Sequence, residues 1–320
     1  MRYVIVGAGA VGGVMGGLLA RAGCDVVLVA RGPHLEALRT TGLDLRTTSG
    51  REIVDVATAG SVTEVDWREG DVAVLAVMGQ DTESVLTELA AVAPAEVPVI
   101  CAQNGVANER RALRRFAAVH GICVMLPAVH IEPGVVAAFG EPVPGILDIG
   151  RYPAGRDPFD EAVAADLRTA GFDSNPDPAI MRAKHRKLLM NLLNAAVALS
   201  GDEAAASPAA AAALAEGEVA LTAAGIDVAT AEEDRERRKG VFTIGAVEGV
   251  ERGGGSTWQS LARRTGSVEA DTLNGEIVLL GRLHGVPTPV NDHLRRLVQR
   301  AARHAWAPGS VPLADLFPTS

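Results

Sequence analysis

The stretch YVIVGAGAVGG, residues 3–13, decides how the rest of the chain is read. Residues 3–6 are continuously apolar, as in a strand buried on both faces. Gly7, Gly9 and Gly12 follow as G-x-G-x-x-G, and residues 11–22 have the pattern of a helix. In such a unit the first glycine permits a tight turn, the second lets the backbone approach a diphosphate, and the third lets the helix pack on the sheet. The helix N-terminus then offers unpaired N–H groups to phosphate. The pattern alone is weak, but a strand before it and a second strand about 20 residues later supply its context. Gly7, Ala8, Gly9, Ala10, Val11 and Gly12 are therefore expected to bind a dinucleotide.

Outward from this turn, DVVLVAR (25–31), DVAVLAV (71–77), VPVICAQNG (97–105) and GICVMLPAV (121–129) repeat the short apolar run. Helix-like segments lie between several of them, for example residues 82–92. This βαβ alternation predicts a parallel, doubly wound Rossmann-type sheet. GVVAAFG and GILDIGR flank EPVPG (141–145), which reads as an antiparallel hairpin appended to it. DSNPDP (173–178) reads as a linker or a sharp change of direction. Beyond it helical periodicity dominates, so the expected division is a dinucleotide-binding domain over 1–176 and an all-α domain over 177–320.

In the second half, residues 203–225 predict a helix started by Ser207 with Pro208 in its first turn. Residues 268–285 predict an amphipathic helix ending at Gly285, and residues 292–304 a final one. EEDRERRK (232–239) reads as a solvated helical face.

The second strand ends in Ala30 and Arg31, where NAD sites commonly place an acid. An acid repels a 2′-phosphate; an arginine attracts it and can stack on adenine, so NADP is favoured. The formal net charge of −9 over 320 residues leaves no basic excess for non-specific nucleic-acid binding. No uncharged apolar run of about 18 residues appears, so no membrane span or secretory signal is expected. Cys24, Cys101 and Cys123 make an odd number in no metal-binding spacing, and read as buried, reduced thiols of a cytoplasmic protein. His120, His130 and His304 fall in no recognisable spacing, and no metal is expected.

KLLMNLLNA (187–195) is apolar enough to be buried, yet carries Lys187, Asn191 and Asn194. At about 3.6 residues per turn these three share one side of a continuous helix. They read either as a solvated face or as a polar stripe facing a ligand.

GAGAVG, QNG at 103–105, KLLMNLLNA and STWQSLARRTGSVEADTLNGEIVLLGRLHGVPTPVN (256–291) together resemble the ketopantoate reductase (2-dehydropantoate 2-reductase) family, in order and over nearly the whole chain. The resemblance implies NADPH-dependent reduction of a 2-oxo acid, 2-dehydropantoate to pantoate, in pantothenate biosynthesis. It implies a Rossmann domain and a helical domain like that of 6-phosphogluconate dehydrogenase, with the active site in the cleft between them. It maps the catalytic lysine onto Lys187, with Asn191, Glu269 and Ser256 around the substrate and Asn104 near the nicotinamide.

Hydride addition to a ketone needs a donor at the oxygen, and Lys187 supplies a cationic one; Lys184, in a segment read as solvated, is the runner-up. Asn191 and Asn194 offer donors and acceptors to a polar ligand. Glu269 either accepts a bond from the substrate hydroxyl or sits in a first helical turn for electrostatic reasons. Ser256 either binds the substrate carboxylate or caps a helix. Asn104 either faces a ligand at a strand end or belongs to an Asn-Gly turn.

Three departures from the family pattern leave room for another reductase of a bulky 2-oxo acid, with NADH as an alternative cofactor: Met78 stands where lysine is frequent, Asn194 lies seven rather than eight residues after Lys187, and Gly253, Gly254 and Gly255 precede Ser256. A non-catalytic dinucleotide sensor is a further alternative, and the Ala-rich helical half can offer a homodimer face.

Overall fold

The computed structural model describes residues 1–130 and 132–318. The first part of the chain runs β1 (Arg2–Val6), α1 (Ala10–Arg21), β2 (Asp25–Val29), α2 (Gly32–Thr41), β3 (Leu43–Thr47), β4 (Gly50–Val54), β5 (Ala57–Ala59) and β6 (Asp71–Leu75). It continues with α3 (Thr82–Val92), β7 (Val99–Cys101), α4 (Asn108–Leu113), β8 (Val119–Met125), β9 (Ala128–Val129), β10 (Val135–Ala138), β11 (Gly140–Pro142), β12 (Ile146–Arg151) and α5 (Pro158–Thr169).

Seven strands form one sheet in the order β12-β8-β7-β6-β1-β2-β5. All its pairs are parallel except β12 on β8. Alternation along β1 explains its unbroken apolar run. Tyr3 and Ile5 enter one core with Leu18, Leu28 and Ile122, while Val4 and Val6 enter another with Leu75, Leu86 and Val99. Chain order reverses between β2 and β6 on either side of β1, and open α/β sheets bind ligands at the carboxyl ends of strands at such a point.

The expected hairpin around EPVPG does not form. β10 joins a second sheet, β4-β3-β10-β9, parallel to β3, whereas β12 pairs with β8 in the main sheet. Burial of both flanking strands in different sheets outweighs the local turn signal. DSNPDP is no free linker either. Leu147 and Ile149 donate to the carbonyls of Asp173 and Asn175, and Asp177 donates back to Ile149. Gly150 makes this possible, because a Cβ there would lie 1.9 Å from the Asp177 carbonyl oxygen.

The remaining elements are α6 (Ile180–Asn191), α7 (Leu193–Ser200), α8 (Glu203–Ala223), α9 (Ala231–Arg238), β13 (Phe242–Ile244), α10 (Ser256–Ala262), α11 (Asn274–His284) and α12 (Pro289–Arg303). The chain divides into one unit of residues 1–184 and 231–252 and a second of residues 185–230 and 253–320. Against the division expected at 176, these units place the start of α6 with the first, and α9 with β13 returns to it. β13 pairs with β11, and the Arg237 fork binds Asp148 at 2.6 Å and also reaches Asp173. The segment read as a solvated helical face buries no residue along α9, although Asp234 and Arg238 are half-buried beside the Arg237 clamp.

In the second unit α8 starts at Glu203, not at Ser207. Asp202 caps it by accepting from Ala205 N at 3.1 Å, leaving Pro208 inside the helix. Gly217 lets α8 approach its neighbours closely: a Cβ there would lie 2.7 Å from Leu189 and 2.9 Å from Leu192 side-chain atoms. α12 begins three residues before the expected start because Pro289 occupies its first turn and Glu216 accepts from the N–H groups of Val290 and Asn291. Gly285 ends α11 in a left-handed conformation, as expected. Among the described residues no helix is long and apolar enough to cross a membrane.

Candidate functional site

In the first unit the glycine turn separates into two tight positions and one open one. Gly7 has φ +105°, and a Cβ there would lie 2.7 Å from Val77 N, just past the end of β6. A Cβ on Gly12 would lie 2.1 Å from the Gly7 carbonyl oxygen and 2.8 Å from Ala76. A Cβ on Gly9, by contrast, meets nothing within 4 Å. Gly9 is also the N-cap of α1, which no side chain caps and whose first turn holds no acid, among the described residues. The N–H groups of Ala10, Val11 and Gly12 thus lie at a helix start with open space beside it. This is the geometry that accepts a diphosphate, so the residues present fit a dinucleotide.

Arg31, exposed at the N-cap of α2, lies just beyond β2. His34, unremarked in the sequence, ties that helix to the glycine turn. Gly134 N donates to its Nδ1 at 2.8 Å, so its Nε2–H donates to the Ala8 carbonyl at 2.7 Å. Burial pulls the His34 pKa below the ordinary histidine value, against the opposing pull of the Ala8 carbonyl. Met78 is half-buried at the start of the 3-10 turn Gly79–Asp81.

Asn104 is half-buried on the turn after β7, followed by Gly105 at φ +82°. Gln103 joins this turn to the glycine turn's neighbour: its Nε2 donates to Val77 O at 2.7 Å and to Thr82 Oγ1 at 2.9 Å. The ends of β1, β6 and β7 therefore hold the glycine turn and Gln103-Asn104-Gly105 side by side.

Lys184 is not solvated. It is 3% exposed, its Nζ donates to Gln103 O and Ile122 O at 2.9 Å each, and it pairs with Glu109 Oε1 at 2.9 Å. Three donors have three acceptors, so this ammonium is fully engaged. Its basic neighbours suggested a wet surface; the interior acceptors decided otherwise.

In the second unit the polar residues of KLLMNLLNA do not share one continuous helix. Lys187, half-buried, and Asn191, buried, lie one turn apart on α6. The ladder then tightens, with Leu192 N donating to Leu189 O, and Asn194 falls on α7. Asn194 lies against the start of α10: its Oδ1 is 3.2 Å from where a Cβ on Gly255 would sit. Ser256 is the first residue of α10, whose N-cap is Gly255, so the capping role considered for Ser256 is not observed. Gly253 and Gly254 lie against the Trp258 ring, where Cβ atoms would approach to 2.6 and 2.5 Å. Glu269 is buried at the start of the 3-10 turn Glu269–Asp271 rather than in a long helix, which begins only at Asn274.

Cys101 and Cys123 are buried and Cys24 is half-buried; none forms a disulfide. His120 binds Asp160 at 2.7 Å, with Asp157 close enough to complete a possible ligand set. Both carboxylates are already occupied by the capping box that starts α5. That accounts for the cluster without an ion.

A family model described as "Ketopantoate reductase PanE/ApbA" matches residues 3–154, and one described as "Ketopantoate reductase PanE/ApbA C terminal" matches residues 179–302. A curated 2-dehydropantoate 2-reductase of Pyrococcus horikoshii is 33% identical over 191 residues, 60% of this chain; the match spans only 61% of that relative's length. A 2-dehydropantoate 2-reductase of Halobacterium salinarum is 28% identical over 95% of this chain and 99% of its own. The crystal structure of a PanE/ApbA family ketopantoate reductase from Ralstonia eutropha JMP134 superposes with TM-score 0.79 at 28% identity, covering 95% of this chain and 99% of that one.

Proposed function

Because this chain belongs to the ketopantoate reductase family, we propose that it reduces a 2-oxo acid to the 2-hydroxy acid, namely 2-dehydropantoate to pantoate in pantothenate biosynthesis, with NADPH. The observation that carries this reading is the open position at Gly9 between the closed ones at Gly7 and Gly12. The turn Gly7–Gly12 and the start of α1 hold the diphosphate, and Arg31 takes the 2′-phosphate. Asn104 attends the nicotinamide, which when bound supplies the hydride.

Lys187 donates the proton to the ketone oxygen as charge grows there, so hydride and proton together complete the alcohol. Lys184, the other lysine of α6, has no donor to spare, which supports this assignment. Asn191 and Asn194 orient the substrate through neutral hydrogen bonds, Ser256 binds its carboxylate, and Glu269 accepts from the forming hydroxyl. The three cysteines outside disulfides support a cytoplasmic setting. Exposed Val219, Leu279 and Leu283 support a homodimer face on the helical unit.

A second reading keeps the chemistry and changes the substrate to another bulky 2-oxo acid, with NADH. Met78 in place of a second cation, and glycines packed against Trp258, favour it. Steady-state rates with 2-dehydropantoate and a panel of branched and aromatic 2-oxo acids, each with NADPH and NADH, separate the two. Lys187→Ala is expected to lower kcat about 100-fold or more while leaving dinucleotide affinity unchanged. Failure of the purified protein to oxidise either dinucleotide with any member of the panel would overturn both readings.

A further inference from the structure

We propose that the buried Lys184–Glu109 pair positions the turn Gln103-Asn104-Gly105, and so sets where Asn104 presents its carboxamide to the nicotinamide end of a bound dinucleotide. The proposal rests on the reductase reading for the role of Asn104; the pair and the turn stand on geometry alone.

Both charged groups are withdrawn from water, at 3% exposure for Lys184 and 0% for Glu109. Burying an ion pair rarely stabilises a protein more than apolar residues of the same volume would. Here Glu109 Oε2 and Gln103 Oε1 are moreover buried without hydrogen-bond partners, a further cost. An apolar pair could fill this space; it could not hold a carbonyl. Lys184 does so, gripping Gln103 O while anchored to Ile122 O in β8 and neutralised by Glu109.

The turn is held from a second direction by the Gln103 side chain on Val77 O and Thr82 Oγ1. Backbone and side chain of one residue are thus tied to separate elements, which leaves Asn104 little freedom. Gly121 in β8 is the matching accommodation. A Cβ there would lie 3.2 Å from Lys184 Cδ and 3.3 Å from Glu109 Oε1, so the glycine makes room for the pair.

The test compares the full-length protein with Lys184→Met, Glu109→Gln and the double variant Lys184→Met/Glu109→Leu. Fluorescence titration reads affinity for the reduced dinucleotide, and competition reads affinity for the matching ADP-ribose fragment that lacks nicotinamide. Thermal unfolding, kcat and KM for the 2-oxo acid accompany them. The double variant is expected to unfold within a few degrees of the parent and to bind the fragment equally well. It should lose about tenfold in dinucleotide affinity and at least as much in kcat, the order of one hydrogen bond to a charged donor. Glu109→Gln, which leaves the bond from Lys184 to Gln103 O in place, should keep the ratio of the two affinities close to the parent's.

A double variant with the parent's affinity ratio and kcat overturns the proposal, because the pair then only fills space. Equal loss of both affinities also overturns it. Should the double variant not fold, hydrogen exchange in Lys184→Met decides: faster exchange over residues 102–106, with the glycine turn still protected, supports the proposal, and unchanged exchange there overturns it. Absence of turnover in the parent would sink the reductase reading alone, since the affinity ratio and the exchange measurement need no catalysis.

Discussion

Asn274 donates from Nδ2 to the carbonyl of Leu192 at 3.2 Å, and this bond occupies the backbone group left over where α6 gives way to α7. The same amide nitrogen donates to Asn291 Oδ1, and Asn291 Nδ2 in turn donates to Ala213 O and Glu216. The break is therefore part of a buried, paired network. Asn274→Leu removes the donor without removing volume and leaves the Leu192 carbonyl and Asn291 Oδ1 unpaired. A loss of about 1–3 kcal/mol per orphaned group is expected in urea unfolding. An unchanged midpoint would show that the break needs no partner.

The three motif glycines should respond differently to a methyl group. Gly12→Ala collides with the Gly7 carbonyl, so both stability and dinucleotide affinity should fall. Gly9→Ala meets no protein atom and should leave the unfolding temperature within a few degrees of the parent's. Its Cβ would project into the space proposed for the diphosphate, so affinity should drop at least about tenfold, a single lost hydrogen bond to a charged group being worth that much. Titration of both variants beside thermal unfolding separates the two effects.

His34 predicts an acid-sensitive turn. The fold holds it neutral, because Nδ1 must accept from Gly134, and burial lowers its pKa. As pH falls, the unfolded chain takes up a proton at this histidine first, near pH 6.5, and the folded chain only later. The stability due to neutral His34 is thus complete above about pH 6.5 and is lost as pH drops through its lowered folded value. Unfolding midpoints from pH 7.5 to 5 should decline more steeply in the parent than in His34→Gln. Parallel curves would show that protonation there costs nothing.

Arg237 clamps the returning segment. Two carboxylates raise its pKa although burial opposes them, so it stays cationic across the accessible range. Arg237→Ala strands the nearly buried Asp148 and should lower stability by about 1–3 kcal/mol. Arg237→Lys keeps the charge but not the fork, and should recover less than half of that loss in thermal unfolding.

Much of the fold was legible because its signals are local. The unbroken apolar run of β1 reports burial on both faces, GAGAVG encodes a turn that only glycine fits at Gly7 and Gly12, and Gly285 marks a helix end by its backbone freedom. The order of motifs along the chain was likewise enough to indicate the ketopantoate reductase family, which the two family models match.

Tertiary structure alone decided what depended on distant partners. Lys184 and its basic neighbours look solvated in sequence, yet acceptors from residues 103, 109 and 122 draw it into the interior. The helix bearing Lys187 looks continuous, yet a carboxamide 82 residues away takes the carbonyl at its break and moves Asn194 onto another helix. The strands around EPVPG look like a hairpin, yet each finds its pairing partner in a different sheet. Hydrophobic period and turn chemistry act over a few residues and can be read along the chain. The partner that satisfies a buried charge or an orphaned carbonyl is chosen by packing, and packing exists only after the chain has folded.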